Sequence, residues 1–174
     1  MSLPPDYVAQ LHTLVDTLTA PVAATHQARI QCTRGCAGCC ADGLTVFEVE
    51  ADHIRRSAPA VLHGQQPHPP GACAMLDADG ACRIYAARPY VCRTQGLPLR
   101  WAEADPDNAD QAIELRDICP LNADGPPLDS LPDDQLWTLG PVEQRLAAAQ
   151  AMHPAGHDAR VPLRGLFHET PPVR

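Results

Sequence analysis

Four cysteines fall within the nine residues Cys32-Thr33-Arg34-Gly35-Cys36-Ala37-Gly38-Cys39-Cys40, and no other nine-residue window of the chain is so dense in metal-ligating side chains. Cys36 and Cys39 form C-x-x-C, the spacing that brings two sulfurs to one metal, whereas the neighbours Cys39 and Cys40 are expected to point apart. One of that pair is therefore open to a second metal, or to packing as a small hydrophobe. Gly35 and Gly38 each precede a cysteine and read as positive-φ residues of tight thiolate-binding turns. Four more thiols, Cys73, Cys82, Cys92 and Cys119, follow at wide spacings beside turns or element ends, where side chains can converge. All eight are candidate ligands, in one shared site or a pair of sites.

The rest of the composition asks for such a staple. A chain of 174 residues with 45% apolar but 4% aromatic content suits one domain, or one domain with a helical appendage, around a modest Ala/Leu/Val core. Nineteen prolines and eleven glycines break it often, so long regular elements should be few. Marginal cores are commonly held by disulfides or by a structural metal. The start Met1-Ser2-Leu3-Pro4-Pro5-Asp6 has neither a basic nor an apolar leader region, and nowhere do eighteen uncharged apolar residues run together. A cytoplasmic, non-membrane protein is expected, and in that reducing compartment metal ligation outweighs disulfide formation. The formal charge of −8 argues against nucleic-acid binding, which needs a basic face.

The expected fold class is α+β: a small, irregular, metal-stapled domain with a β-hairpin and short helices, flanked by N- and C-terminal helices. Its segments are 1–30 (helical), 31–122 (cysteine-cluster domain) and 123–174 (a helix and a loosely ordered tail). Val8, Leu11, Leu14, Val15 and Leu18 predict one helical face from Pro5 to about Thr19, with Pro21 kinking or restarting the helix toward Ile30. His12 and His26 on these pieces read as surface or capping residues. Gly43–Phe47 predicts a short strand, and Glu48–Ser57 a helix ended by Pro59, with acids at its start and Arg55 and Arg56 at its end. His63 and His68 lie in a proline-rich loop. Cys73–Leu76 and Cys82–Tyr85 predict a hairpin turning at Gly80. A helical turn then starts at Arg88-Pro89 and holds Cys92. Extended segments at Gly96–Trp101 and Ile113–Ile118 flank an acidic loop, the second ending at Cys119-Pro120. A helix is predicted from Asp133 to about Met152, kinked at Gly140-Pro141, and His153 and His157 in the tail are weak metal candidates.

With Cys32-x3-Cys36-x2-Cys39-Cys40 followed by Cys82-x-Ile84-Tyr85-x2-Arg88-Pro89-x2-Cys92-Arg93, the chain resembles the CxxCxxCC cysteine-cluster family of YkgJ-like zinc- or iron-chelating domains. The resemblance runs from about Gln31 to Cys119. It implies a metal-chelating domain, and a flagellin lysine-methylating enzyme shares the cysteine pattern over this region. Three residues separate Cys32 from Cys36 where the family name has two, which makes Cys32 a less secure ligand than Cys36 or Cys39.

Two sets of four thiolates for zinc would use all eight cysteines, and four thiolates equally hold an iron–sulfur cluster. Spacing does not separate zinc from iron. The sequence holds no Gly-rich phosphate loop, no G-x-S-x-G, no H-E-x-x-H and no dinucleotide fingerprint. Arg88 and Arg93 near Cys92 read either as activators of a thiol nucleophile or, preferably, as cations that neutralise an anionic thiolate–metal centre. The reading is a metal-binding module for zinc or iron whose partners are the metal ion and, where required, another protein. The alternative is an iron–sulfur-dependent redox or group-transfer enzyme, or its accessory subunit.

Overall fold

In the computed structural model, which describes residues 3–108 and 110–168, helix α1 (Tyr7–Thr25) runs unbroken through Pro21. The expected second helical piece is therefore part of the first. Proline cannot donate to the carbonyl four residues back, but Val15 before it and Val22 after it are buried in the same apolar cluster, so packing carries the helix across. The buried face is Val8, Leu11, His12, Val15, Thr19 and Val22, while Leu14 and Leu18 are exposed. The face is rotated from the one expected because two adjacent candidates, Leu14 and Val15, cannot both face the core. His12 and His26 are buried rather than superficial; His26 does cap α1 and meets the Gln135 carbonyl at 2.8 Å.

Strand β1 (Thr45–Phe47) leads directly into α2 (Glu48–Ser57), as expected. Pro59 ends α2 and at once opens a short helix, α3 (Pro59–Gly64), with the proline in the first turn where its missing N–H costs nothing. The cysteine-bearing middle is less regular. The expected hairpin is reduced to a single antiparallel bridge between Leu76 and Cys82 around the turn Asp77–Gly80, where the Asp77 carboxylate accepts the Asp79 and Ala81 N–H groups. Helix α4 (Tyr90–Arg93) follows Pro89, which caps it. Strands β2 (Leu99–Ala104) and β3 (Ala112–Asp117) pair antiparallel, and β4 (Trp137–Thr138) adds to β2 in parallel.

The helix expected from Asp133 starts only at Pro141: α5 spans Pro141–Ala151. Trp137 is drawn into the sheet beside Leu99, and Gly140 at φ 114° breaks the chain direction before the new helix. The tail is ordered through His168, contrary to expectation. Strand β5 (Arg160–Pro162) pairs antiparallel with β1, and Leu163 and Leu166 in the following 3-10 turns are buried. The class is a small α+β domain with two sheets. Two apolar clusters hold it: α1, α5, Val49, Tyr90, Leu97 and Trp137 form one, and Val46, Ala51, Ile54, Leu62, Met75, Ile84, Leu163 and Leu166 the other. Among the described residues no helix is long and apolar enough to cross a membrane.

Candidate metal centre

Loops without regular structure must satisfy their carbonyls some other way, and here arginines do it. Arg29 donates to the carbonyls of Asn122, Ala123 and Pro126. Arg83 reaches those of Gln66, Ala74 and Met75, and Arg164 those of His68, Pro69 and Ala72 while pairing with Asp42. The segments that carry the cysteines are thereby fixed against one another. Cys73 N also donates to the Cys40 carbonyl at 2.9 Å, joining the cluster loop to the Cys73 arm. Of the two cluster glycines, Gly35 takes a positive φ of 88° and Gly38 does not.

These segments enclose a cavity of about 550 Å³ whose wall contains seven of the eight thiols: Cys32, Cys36, Cys39, Cys40, Cys73, Cys82 and Cys92. Cys119 is not part of the wall but lies near enough to Cys39 to raise its pKa. Leu44, Met75, Leu76, Ile84 and Leu163 supply an apolar floor. Among the described residues no histidine, aspartate or glutamate lines it, so His12, His26, His63, His68, His153 and His157 all stand apart. His153 instead meets Asp52 at 3.2 Å, and His157 pairs with Asp158.

All eight cysteines are free thiols. Burial pushes Cys40 and Cys92 up to about 12, and the neighbouring sulfurs add to it: Cys39, Cys73 and Cys82 for Cys40, then Cys73, Cys82 and Cys40 for Cys92. Burial likewise raises Cys39 and Cys82. The adjacent pair does not diverge fully. A side-chain interaction lowers Cys39 and raises Cys40, which makes Cys40 the donor, yet each faces different neighbours: Cys36 and Cys119 for Cys39, Cys73 and Cys82 for Cys40. Cys92 is raised, not lowered, so an activated nucleophile at this position loses its premise.

Arg88 lines the cavity with its guanidinium stacked 4.0 Å over the Tyr85 ring, and its buried Nε has no hydrogen-bond partner among the described residues. Arg93 turns away to Asp16 and to the Ala86 and Arg88 carbonyls, so the expected arginine pair is a single arginine at the thiols. Sequence reasoning also passed over Glu50. Its buried carboxylate accepts the Tyr90 N–H at 2.8 Å and faces His12 Nε2 at 3.4 Å, anchoring the start of α4 and hence Cys92. One acid among three near the start of a helix reads as a dipole partner and carries no signal of that role.

A wall with seven thiols and, among the described residues, no carboxylate suits zinc, iron or an iron–sulfur centre and does not suit calcium or magnesium. Among the described residues no three Cys, His, Asp or Glu side chains are already drawn into ligating geometry. Residues 31–120, over half of the chain, match the sequence model of the CxxCxxCC family, described as "Putative zinc- or iron-chelating domain". The chain belongs to the CxxCxxCC family. The matched stretch begins beside Cys32 and ends beside Cys119, so it contains every cysteine of this family member. Neither a curated protein nor a solved structure gives a significant match.

Proposed function

We propose that the chain is a metal-binding module in which thiolates hold zinc or iron in two adjoining four-sulfur sets. Cys40, Cys73, Cys82 and Cys92 form one set, and Cys32, Cys36, Cys39 and Cys119 the other, with Cys39 and Cys40 at the junction. The observation that carries this reading is the assembly of seven thiols from four separate chain segments around one cavity that, among the described residues, no carboxylate or imidazole lines. Cys73 raises Cys40, Cys82 and Cys92, and Cys119 raises Cys39, while Cys39 at the junction also raises Cys40 and Cys92.

Chemistry follows from the protonation states. Thiols held well above their usual range are neutral at pH 7, and a metal takes the thiolate, so loading releases protons and draws the sulfurs inward. Arg88 offers one positive charge against the anionic sulfurs, with its position set by the Tyr85 ring. Elemental analysis and an absorption spectrum of protein purified without oxygen test the proposal. Zinc in a colourless protein supports the module; iron with sulfide and a brown colour supports an iron–sulfur centre in the same thiol sets. Zinc plus iron below about 0.2 equivalents with all thiols free would overturn it, because a structural thiolate site holds its ion by roughly 10–16 kcal/mol.

A further inference from the structure

Asn122 lies just beyond the family match, in the 3-10 turn Pro120–Asn122 that follows Cys119, and it is fully buried. Its side chain makes three contacts. Oδ1 accepts the Gln31 backbone N–H at 2.7 Å, Nδ2 donates to the Gly96 carbonyl at 2.8 Å, and Nδ2 also reaches the Cys32 sulfur at 3.4 Å. The orientation of the amide is not arbitrary. Turning it over would set Oδ1 against the Gly96 carbonyl and the amino group against the Gln31 N–H, two repulsive contacts in place of two bonds. Both N–H groups are thus committed, one to a carbonyl and one to sulfur.

The surroundings hold that amide in place. Arg29 Nε donates to the Asn122 carbonyl at 2.9 Å, and the Asn122 N–H closes the turn on the Cys119 carbonyl at 2.8 Å. Gly96, at φ 91°, leaves the space into which the sulfur fits: a Cβ there would lie 2.6 Å from Cys32 Sγ and 3.1 Å from Asn122 Nδ2. Backbone, amide and sulfur are therefore packed at contact distance, and only glycine at 96 permits it.

We infer that Asn122 is a positioning residue for the metal centre: its amide aims the Cys32 sulfur and supplies an N–H to the negative charge that sulfur carries as a ligand. This rests on the thiolate reading above. It also gives Cys32, the thiol with the atypical spacing, a defined place beside the Cys119 turn. Ligands oriented by hydrogen bonds from outside the coordination shell typically lose about 10–100-fold in metal affinity when that bond is removed.

The test uses the full chain loaded with zinc or with cobalt(II). Asn122→Asp keeps the Oδ acceptor for Gln31 and replaces the donor to sulfur by an oxygen. It is expected to release zinc to a chromophoric chelator about 10–100-fold faster and to shift the sulfur-to-cobalt charge-transfer band. In a double-mutant cycle the effect of Asn122→Asp should vanish in the Cys32→Ser background, whereas a general loss of structure would persist there. Gly96→Ala leaves the Asn122 side chain in place but crowds both Cys32 Sγ and Asn122 Nδ2, so it shifts the same band by a second route if Asn122→Asp does not fold. A wild-type chain that takes up neither ion removes the metal reading, and this inference with it. A wild-type chain that loads, with release rates and charge-transfer bands unchanged in both variants or with fully additive effects in the cycle, overturns the inference alone.

Discussion

The half of the molecule built on α1 and α5 is joined by apolar side chains, whereas the thiol-lined half adds to its smaller apolar cluster a set of arginines that reach backbone carbonyls. In the first, Val15, Leu146 and Ala149 are almost wholly buried and the one long helix supplies its own backbone bonds. In the second, Arg29, Arg83 and Arg164 each satisfy three carbonyls of irregular loops, and the sulfurs stand around open space. Hydrogen bonds of this kind fix direction but add only about 0.5–1.5 kcal/mol each, or up to 3 where a charge is involved. Apolar burial gives about 1.5–3 kcal/mol per large side chain. The two halves should therefore respond differently to the same perturbation.

The largest expected effect is metal removal. Chelation should cost the thiol half on the order of 10–16 kcal/mol of ligand-linked stability. Hydrogen exchange should show residues 31–122 losing protection while the middle of α1 and α5 keeps theirs. Uniform loss along the chain would erase the contrast, and unchanged protection would make the metal an added centre rather than a staple. Next in size, Leu146→Ala should cost about 2–5 kcal/mol through the cavity it leaves. That cost should be equal with and without metal in denaturant titrations; a cost seen only in the loaded protein would mean that the two halves are coupled.

Arg88→Ala should leave the number of bound ions unchanged but speed their loss about 10–100-fold, roughly 1.4–2.7 kcal/mol, read by competition with a chelator. Total metal loss would make Arg88 part of the fold of the thiol half instead of a neutralising charge. A further effect is alkaline. Cys40 and Cys92 are raised from 9.0 to about 12, so the folded metal-free chain keeps protons that the unfolded chain gives up. Stability from this source is complete below pH 9 and declines as pH rises toward 12. Denaturant midpoints of the metal-free protein at pH 8 and pH 11 measure it; a midpoint that does not fall would mean that the thiols are not buried together.

How much of this was legible in the sequence depends on the range of the interactions involved. The cysteine cluster, α2 with its terminal charges, and the turn at Gly80 depend on neighbours within a few positions, and they appear where the residues predict. The continuation of α1 through Pro21, the exposure of Leu14 and Leu18, and the shift of Trp137 from helix to strand are decided by distant partners. At the site, the thiols themselves were legible, but what holds them was not. Arg29 and Glu50 are ordinary residues in helical stretches, and Asn122 gains its role from contacts 90 and 91 residues away.

The pairing of β1 with β5 has a consequence for the order in which the protein is made. Arg160 bonds Thr45 across 115 residues, and Leu163 beyond it closes part of the apolar floor under the sulfurs. At about 5–20 residues per second, the ribosome needs roughly 2–8 s to add the roughly 40 residues between the last cysteine and that floor. Throughout this interval every thiol has been synthesised and none has its final enclosure. All eight sulfurs are therefore made before the strand and the Leu163 side chain that complete their surroundings.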